Sequence, residues 1–338
     1  MSIAFSLATS IRVGLWAVLT GVIAISAAAY VLYVHDLAAA RERLGGRSQL
    51  IETRVGTLEY ADIGAGQPIL VIHGAAGGFD QGLDMTGALA DRGFRLIAPS
   101  RFGYLRSTMP RNATVAMQAD AYVELLDRLG VAKVAIAGIS AGAWSALEFA
   151  IRHPERVQAL VLLVPADYLP DGTSIHGGAI VRSIFNSDFV AWIALKLVPM
   201  LPQSGMSRMM LGTDSAVIRA AVPSERLRVE QVLERLLPVS DRRVGMNFDV
   251  RTASTRTSFA LEKIACPVLI ISSEDDRFGT AARARWIAAR VRMVKVLIFP
   301  TGGHALVGHY ADALSESAVF IQKLQAQPPS GPVDAPGS

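Results

Sequence analysis

The sequence predicts an α/β body built on a mostly parallel, doubly wound sheet, with a helical insertion and an apolar helix at the amino terminus. Three observations carry this reading. From about Ile51 onward, short β-branched runs alternate with amphipathic stretches, the texture of buried parallel strands covered by helices on both faces. That alternation lapses between about Tyr168 and Lys263, where helical periodicity and prolines at 199, 202, 223 and 238 take over. Finally, Val13 to Val34 runs for 22 residues without a charge.

Taken in order, the charge-free run comes first. As a helix rising 1.5 Å per residue it spans about 33 Å, enough for a hydrocarbon core of about 30 Å. Trp16, Tyr30 and Tyr33 lie toward its ends, where aromatic rings favour the membrane interface. This predicts a single-pass membrane anchor over 13–34. A cleaved signal peptide is the competing reading, with Arg12 as its basic region and Ser26 to Ala29 as small residues for cleavage. The apolar YVLYV beyond that site makes the run long for a signal peptide. Arg41, Arg43 and Arg47 follow the span and only Arg12 precedes it, which leans toward a cytoplasmic body.

After a linker over 35–50, the body occupies 51–167 and 264–325. Its strands are read at ILVI (Ile69 to Ile72), FRLIA (Phe94 to Ala98), VAIAG (Val134 to Gly138), ALVLLV (Ala159 to Val164), PVLIIS (Pro267 to Ser272) and VKVLIF (Val294 to Phe299). Helices are read at GLDMTGALADRG, VAMQADAYVELLDRLG, AGAWSALEFAIRHP and TAARARWIAAR. An insertion as long as 168–263 is a small helical domain rather than a loop. Its first half, FVAWIALKLVPMLP followed by Met206, Met209 and Met210, suits either an adaptable apolar surface or the insertion's own core. The Pro/Gly/Ser-rich tail over 326–338 is expected to be disordered.

Composition narrows the function classes. Hydrophobic residues make up 51% of the chain and charged ones 18%, with mean hydropathy +0.36, too apolar for a disordered protein. Lys plus Arg total 33 against 29 for Asp plus Glu. With no dense basic block, nucleic acid is not an expected partner. Cys266 stands alone, so neither an intrachain disulfide nor a cysteine-rich zinc site is available. No metal cluster or phosphate-binding loop is evident, and no cofactor or metal is expected.

Chemistry enters at Gly138-Ile139-Ser140-Ala141-Gly142, a G-x-S-x-G pattern between a strand and a helix. That context is the one a nucleophile elbow requires. The turn places the Ser140 hydroxyl near a helix amino terminus, which favours developing negative charge. A serine at its free pKa is a poor nucleophile, so a histidine base and an orienting acid are demanded. Of six histidines, His304 in FPTGGHALVGHY follows the last strand on a Gly-rich loop that can reach the strand ends. His35 borders the span, His176 lies in the insertion, His153 ends a helix, and His309 falls within the last helix. His73, directly after a strand in HGAAGG, suits a role in shaping a backbone turn. Carboxylates at Glu274, Asp275 and Asp276 follow PVLIIS at the strand's carboxyl end, the edge on which open α/β sheets bind ligands.

The order Ser140, then an Asp near 276, then His304 is that of the α/β-hydrolase triad, and residues 51 to 325 resemble that fold family, with the insertion as its cap. The resemblance implies Asp276 as the acid, carried over on Ser273-Glu274-Asp275-Asp276, with Asp275 the alternative. It implies an oxyanion hole from the backbone N–H groups of Ala75, in His73-Gly74-Ala75, and Ala141, with Ala76 a near alternative. Such donors are worth about 3 to 4 kcal/mol each. This chain departs from the family at Ser100, where many members carry Asp in D-x-x-G-x-G-x-S, and at Ser273, where glycine is usual. A serine nucleophile points away from dehalogenase and epoxide hydrolase chemistry. The expected function is hydrolysis of a small or lipophilic carboxylic ester, the partner being a small-molecule acyl substrate. C–C bond hydrolysis of meta-cleavage products is the enzymatic alternative, and a non-catalytic ligand receptor is the alternative of another class.

Overall fold

A helix of strong helix formers opens the chain: α1 runs Ser2–Leu44. The computed structural model describes residues 2–166, 185–197, 211–255 and 259–325. Two units are distinguished, residues 1–45 and 46–338. In the first, Arg12–Leu44 is long and apolar enough to cross a membrane. The expected linker over 35–50 is mostly absent, because the helix continues through HDLAAARERL to Leu44 and the first strand already begins at Gln49. Ala, Leu, Arg and Glu, among the best helix formers, dominate that stretch and carry the helix past its apolar run.

The second unit is organised by an eight-stranded sheet. Its strands are β1 (Gln49–Thr53), β2 (Gly56–Gly64), β3 (Gln67–Ile72), β4 (Phe94–Pro99), β5 (Val134–Ile139), β6 (Val157–Leu163), β7 (Val268–Ser273) and β8 (Val294–Phe299). Their order is β1-β2-β4-β3-β5-β6-β7-β8. From β4 to β8 every pairing is parallel, with Leu70 beside Ile97 on one side and Ile136 on the other. β1 and β2 form an antiparallel hairpin that joins β4. The six expected strands match β3 to β8. The hairpin lacks the apolar run that marks them, because QLIET and GTLEYADIG interleave polar and apolar residues.

Helices α2 (Phe79–Thr86), α3 (Val115–Arg128), α4 (Gly142–Arg152), α9 (Thr280–Ala288) and α10 (Tyr310–Gln325) connect or follow the strands. The core lies between sheet and helices: Leu70, Ile72, Ile136 and Leu160 meet Leu125, Leu147 and Phe149, all fully buried. Each such side chain contributes about 1.5–3 kcal/mol relative to exposure. Between β6 and β7, the described residues form α5 (Asp188–Leu197), α6 (Ser215–Ala220), α7 (Pro223–Glu234) and α8 (Arg243–Ser254). Met206, Met209, Met210, His176 and the 326–338 tail lie outside the described residues.

Candidate active site

Each residue singled out around Ser140 sits where a strand of the parallel sheet ends. Ser140 follows β5, Asp276 follows β7 and His304 follows β8, so the crossovers deliver all three to the carboxyl edge of the sheet. Ser140 has φ 48°, a left-handed conformation that costs a non-glycine residue roughly 1–2 kcal/mol. The neighbours over-determine it. Ser140 N–H donates to the Leu163 carbonyl at 2.9 Å, and its own carbonyl accepts from Ala143 and Ala166 at 3.0 and 2.9 Å. Gly142 is required by close approach: a Cβ there would lie 2.3 Å from the Ile72 carbonyl oxygen and 2.6 Å from that of His73.

His304 bridges the other two side chains. Its Nε2 lies 2.9 Å from Ser140 Oγ and its Nδ1 2.8 Å from Asp276 Oδ2. The Phe278 ring meets the imidazole edge-on, with centroids 4.8 Å apart. Asp276 is buried, and its carboxylate also accepts from the Phe278 N–H at 2.8 Å and from the Thr280 hydroxyl. Burial pushes its carboxyl up, but the His304 charge and these hydrogen bonds outweigh burial and hold it below the usual carboxylate range. Asp275 is turned elsewhere: it accepts from the N–H groups of Gly302 and Gly303 at 3.3 and 2.8 Å, organising the loop that carries His304. Ser273, at the position where glycine is usual, donates to the Gly303 carbonyl at 2.7 Å and ties the same loop to β7.

Across from Ser140 runs the loop after β3. The Ala76 N–H is engaged by the Tyr104 hydroxyl at 3.3 Å, whereas the N–H groups of Ala75 and Ala141 have no acceptor among the described residues. His73 is fully buried. It accepts the Arg101 N–H at Nε2, 2.8 Å away, and therefore donates from Nδ1 to the Gly74 carbonyl at 2.7 Å. That is a turn-shaping role. Burial first, then the Arg101 and Arg242 charges, hold its pKa well below the ordinary histidine value. The unfolded chain therefore takes up a proton below about pH 6.5 that the folded one refuses, and stability contributed at neutral pH is lost as pH falls. Comparing urea unfolding of the wild type with that of His73→Asn from pH 7.5 to 5 should show an excess loss of up to about 1.4 kcal/mol per pH unit in the wild type.

The other described histidines are engaged elsewhere: His153 with Asp120 at 2.8 Å, His309 stacked on Phe299, and His35 beside Asp36. Ser100, where many family members carry Asp, meets an acid from the neighbouring strand. Buried Glu59 of β2 accepts from the Ser100 hydroxyl at 2.9 Å and from Arg106 Nε at 2.6 Å. Arg101, Tyr104, Asp249, Asp80 and Arg242 carry no motif in the sequence, yet they form buried ionic clusters beside the loop after β3. Their partners lie some 150 residues apart, and no local pattern joins them. Among the described residues, no group of three or more His, Cys, Asp or Glu side chains could hold a metal ion.

Comparison with known proteins bears on the fold that carries these residues. A family model described as the alpha/beta hydrolase fold matches residues 67–308. The uncharacterized hydrolase YcgS of Bacillus subtilis is 32% identical over 260 residues, 74% of this chain and 89% of that protein. A 2-hydroxy-6-oxo-6-phenylhexa-2,4-dienoate hydrolase of Burkholderia cepacia is 25% identical, covering 75% of this chain and 87% of its own. Among solved structures, an alpha/beta hydrolase fold protein from Nakamurella multipartita superposes with a TM-score of 0.65 at 26% identity, over 81% of this chain and 99% of its own.

Proposed function

Since the chain belongs to the α/β-hydrolase fold family, we propose that it is a serine hydrolase that cleaves carboxylic esters through an acyl-enzyme. The hydrogen-bonded relay from Ser140 Oγ through His304 to Asp276 carries this reading. His304 Nε2 takes the hydroxyl proton as Ser140 Oγ bonds to the acyl carbon. The carbonyl oxygen becomes an oxyanion held by the N–H groups of Ala75 and Ala141. Collapse breaks the C–O bond, and the imidazolium gives its proton to the departing alcohol. A water then repeats the sequence on the acyl-enzyme and releases the acid. Asp276, kept ionised by its hydrogen bonds, holds the Nδ1–H tautomer and stabilises the imidazolium.

The Burkholderia relative supports C–C bond hydrolysis of a dienoate as a second reading. Against it, the buried guanidiniums of Arg101 and Arg242 beside the oxyanion loop are already matched to Asp249 and Asp80, which favours an uncharged acyl group. The apolar helix Arg12–Leu44 supports membrane attachment, as an anchor or as a signal segment. The test is turnover by the full chain in detergent on p-nitrophenyl esters from acetate to palmitate. Turnover stopped by one equivalent of a fluorophosphonate attached to Ser140 is the expected result, and the chain-length optimum sizes the acyl pocket. Folded protein without turnover that binds an ester unchanged would favour a receptor.

A further inference from the structure

The trans peptide joining Gly74 to Ala75 is planar, so its C=O and N–H point in opposite directions. Whatever fixes the Gly74 carbonyl therefore aims the Ala75 N–H. Two donors converge on that oxygen: His73 Nδ1 at 2.7 Å and Arg101 Nη2 at 3.0 Å. The Arg101 guanidinium is itself immobilised. Its Nη1 and Nη2 each lie 2.6 Å from an oxygen of Asp249 in a bidentate pair, and both residues are buried. Tyr104 completes the cluster: its hydroxyl donates to Asp249 Oδ2 at 2.5 Å and accepts the Ala76 N–H.

Asp249 does not belong to the sheet-bearing part of the fold. It lies on α8 of the cap, and α8 approaches so closely at Gly245 that a Cβ there would fall 2.1 Å from the Tyr104 ring. A second cap residue acts on the same loop, since Arg242 Nη1 donates to the Gly77 carbonyl at 2.6 Å while the guanidinium pairs with Asp80. We propose that Asp249 and Arg101 are positioning residues through which the cap aims the Ala75 N–H at the substrate oxyanion. This inference rests on the ester-hydrolase reading for its catalytic consequence but not for its effect on the loop. A guanidinium on the carbonyl oxygen also polarises the peptide and strengthens the opposed N–H as a donor. The cap thus takes part in the chemistry through the loop after β3.

The test uses the full chain in detergent and the variants Asp249→Asn, which keeps shape and removes charge, and Tyr104→Phe, which removes one oxygen and serves if the first fails to fold. Amide hydrogen exchange in residues 74–78 should speed up at least tenfold while that of β5 and α4 stays unchanged. On a p-nitrophenyl ester, kcat per titrated active site should fall 10- to 100-fold for Asp249→Asn and less for Tyr104→Phe, with KM within about twofold. The Ki of a trifluoromethyl ketone, whose adduct places an oxyanion in the hole, should rise by the same factor as kcat falls. Unchanged exchange in residues 74–78, or a loss confined to the number of titratable sites with normal kcat in each, overturns the proposal. If the loop responds but the wild type shows no Ser140-dependent turnover, the positioning stands and the ester reading falls.

Discussion

Replacing Ser140 or His304 with alanine should lower kcat on an activated ester by about a million-fold, and replacing both should cost little more than either alone. In the proposed mechanism the two side chains act as one unit: the serine is nucleophilic only while Nε2, 2.9 Å away, accepts its proton, and the imidazole does nothing useful without the nucleophile. Asp276→Asn should cost about 10⁴-fold. An amide can accept the Nδ1–H, but it carries no charge to stabilise the imidazolium and can hold the wrong tautomer. Asp275→Asn is the control, because that side chain accepts two backbone N–H groups of the histidine loop and an amide oxygen can still take one of them. Its kcat should stay within about tenfold of wild type. Steady-state kinetics with circular dichroism on each variant checks the set. A kcat for Asp276→Asn that matches Asp275→Asn would remove Asp276 from the relay.

Gly142→Ala should be the most damaging small substitution in the elbow. The added methyl would stand 2.3 Å from the Ile72 carbonyl oxygen and 2.6 Å from that of His73, and both are backbone atoms at the end of β3 that cannot rotate away. Strand and helix must separate, and the separation moves the Ala141 N–H away from the Ala75 N–H across the site. Overpacking alone costs about 1–3 kcal/mol, and more where backbone must yield. We expect a loss of about 3 kcal/mol, a fall in Tm on the order of 5–10 °C, and kcat lowered at least 100-fold in the protein that remains folded. Calorimetry and burst titration separate the two effects. A variant with wild-type Tm would show that the elbow is looser than these distances describe.

Strands β3 to β8 and the placement of Ser140, an acid near 276 and His304 were legible because each depends on a local pattern placed by topology. A buried parallel strand is a run of apolar residues, and the residue after it must lie on the carboxyl edge. The choice of Asp276 over Asp275 came from the family resemblance and not from a local pattern, since neighbouring carboxylates on one turn differ only in direction, and direction is set by Thr280 and the Gly302–Gly303 amides. The β1–β2 hairpin escaped because its alternation of polar and apolar residues reads as polar loop. The Arg101–Asp249 and Arg242–Asp80 pairs escaped for a different reason. Arg and Asp are ordinarily surface residues, and only the tertiary fold shows that these are buried and matched. Glu59 belongs with them: it is buried on β2 and accepts from the Ser100 hydroxyl, a contact visible in space and not along the chain.

The placement of the cap between β6 and β7 has a consequence for synthesis. β6 must pair with β7, yet about a hundred residues separate Leu163 from Val268. At ribosomal rates of about 5–20 residues per second, the apolar edge of β6 waits on the order of 5–20 s for its neighbour to emerge. Ser140 waits longer still for His304, which lies 164 residues further along the chain. Nascent chains stalled before Val268 would present an unpaired, fully apolar strand edge, the species most exposed to chaperones and to aggregation.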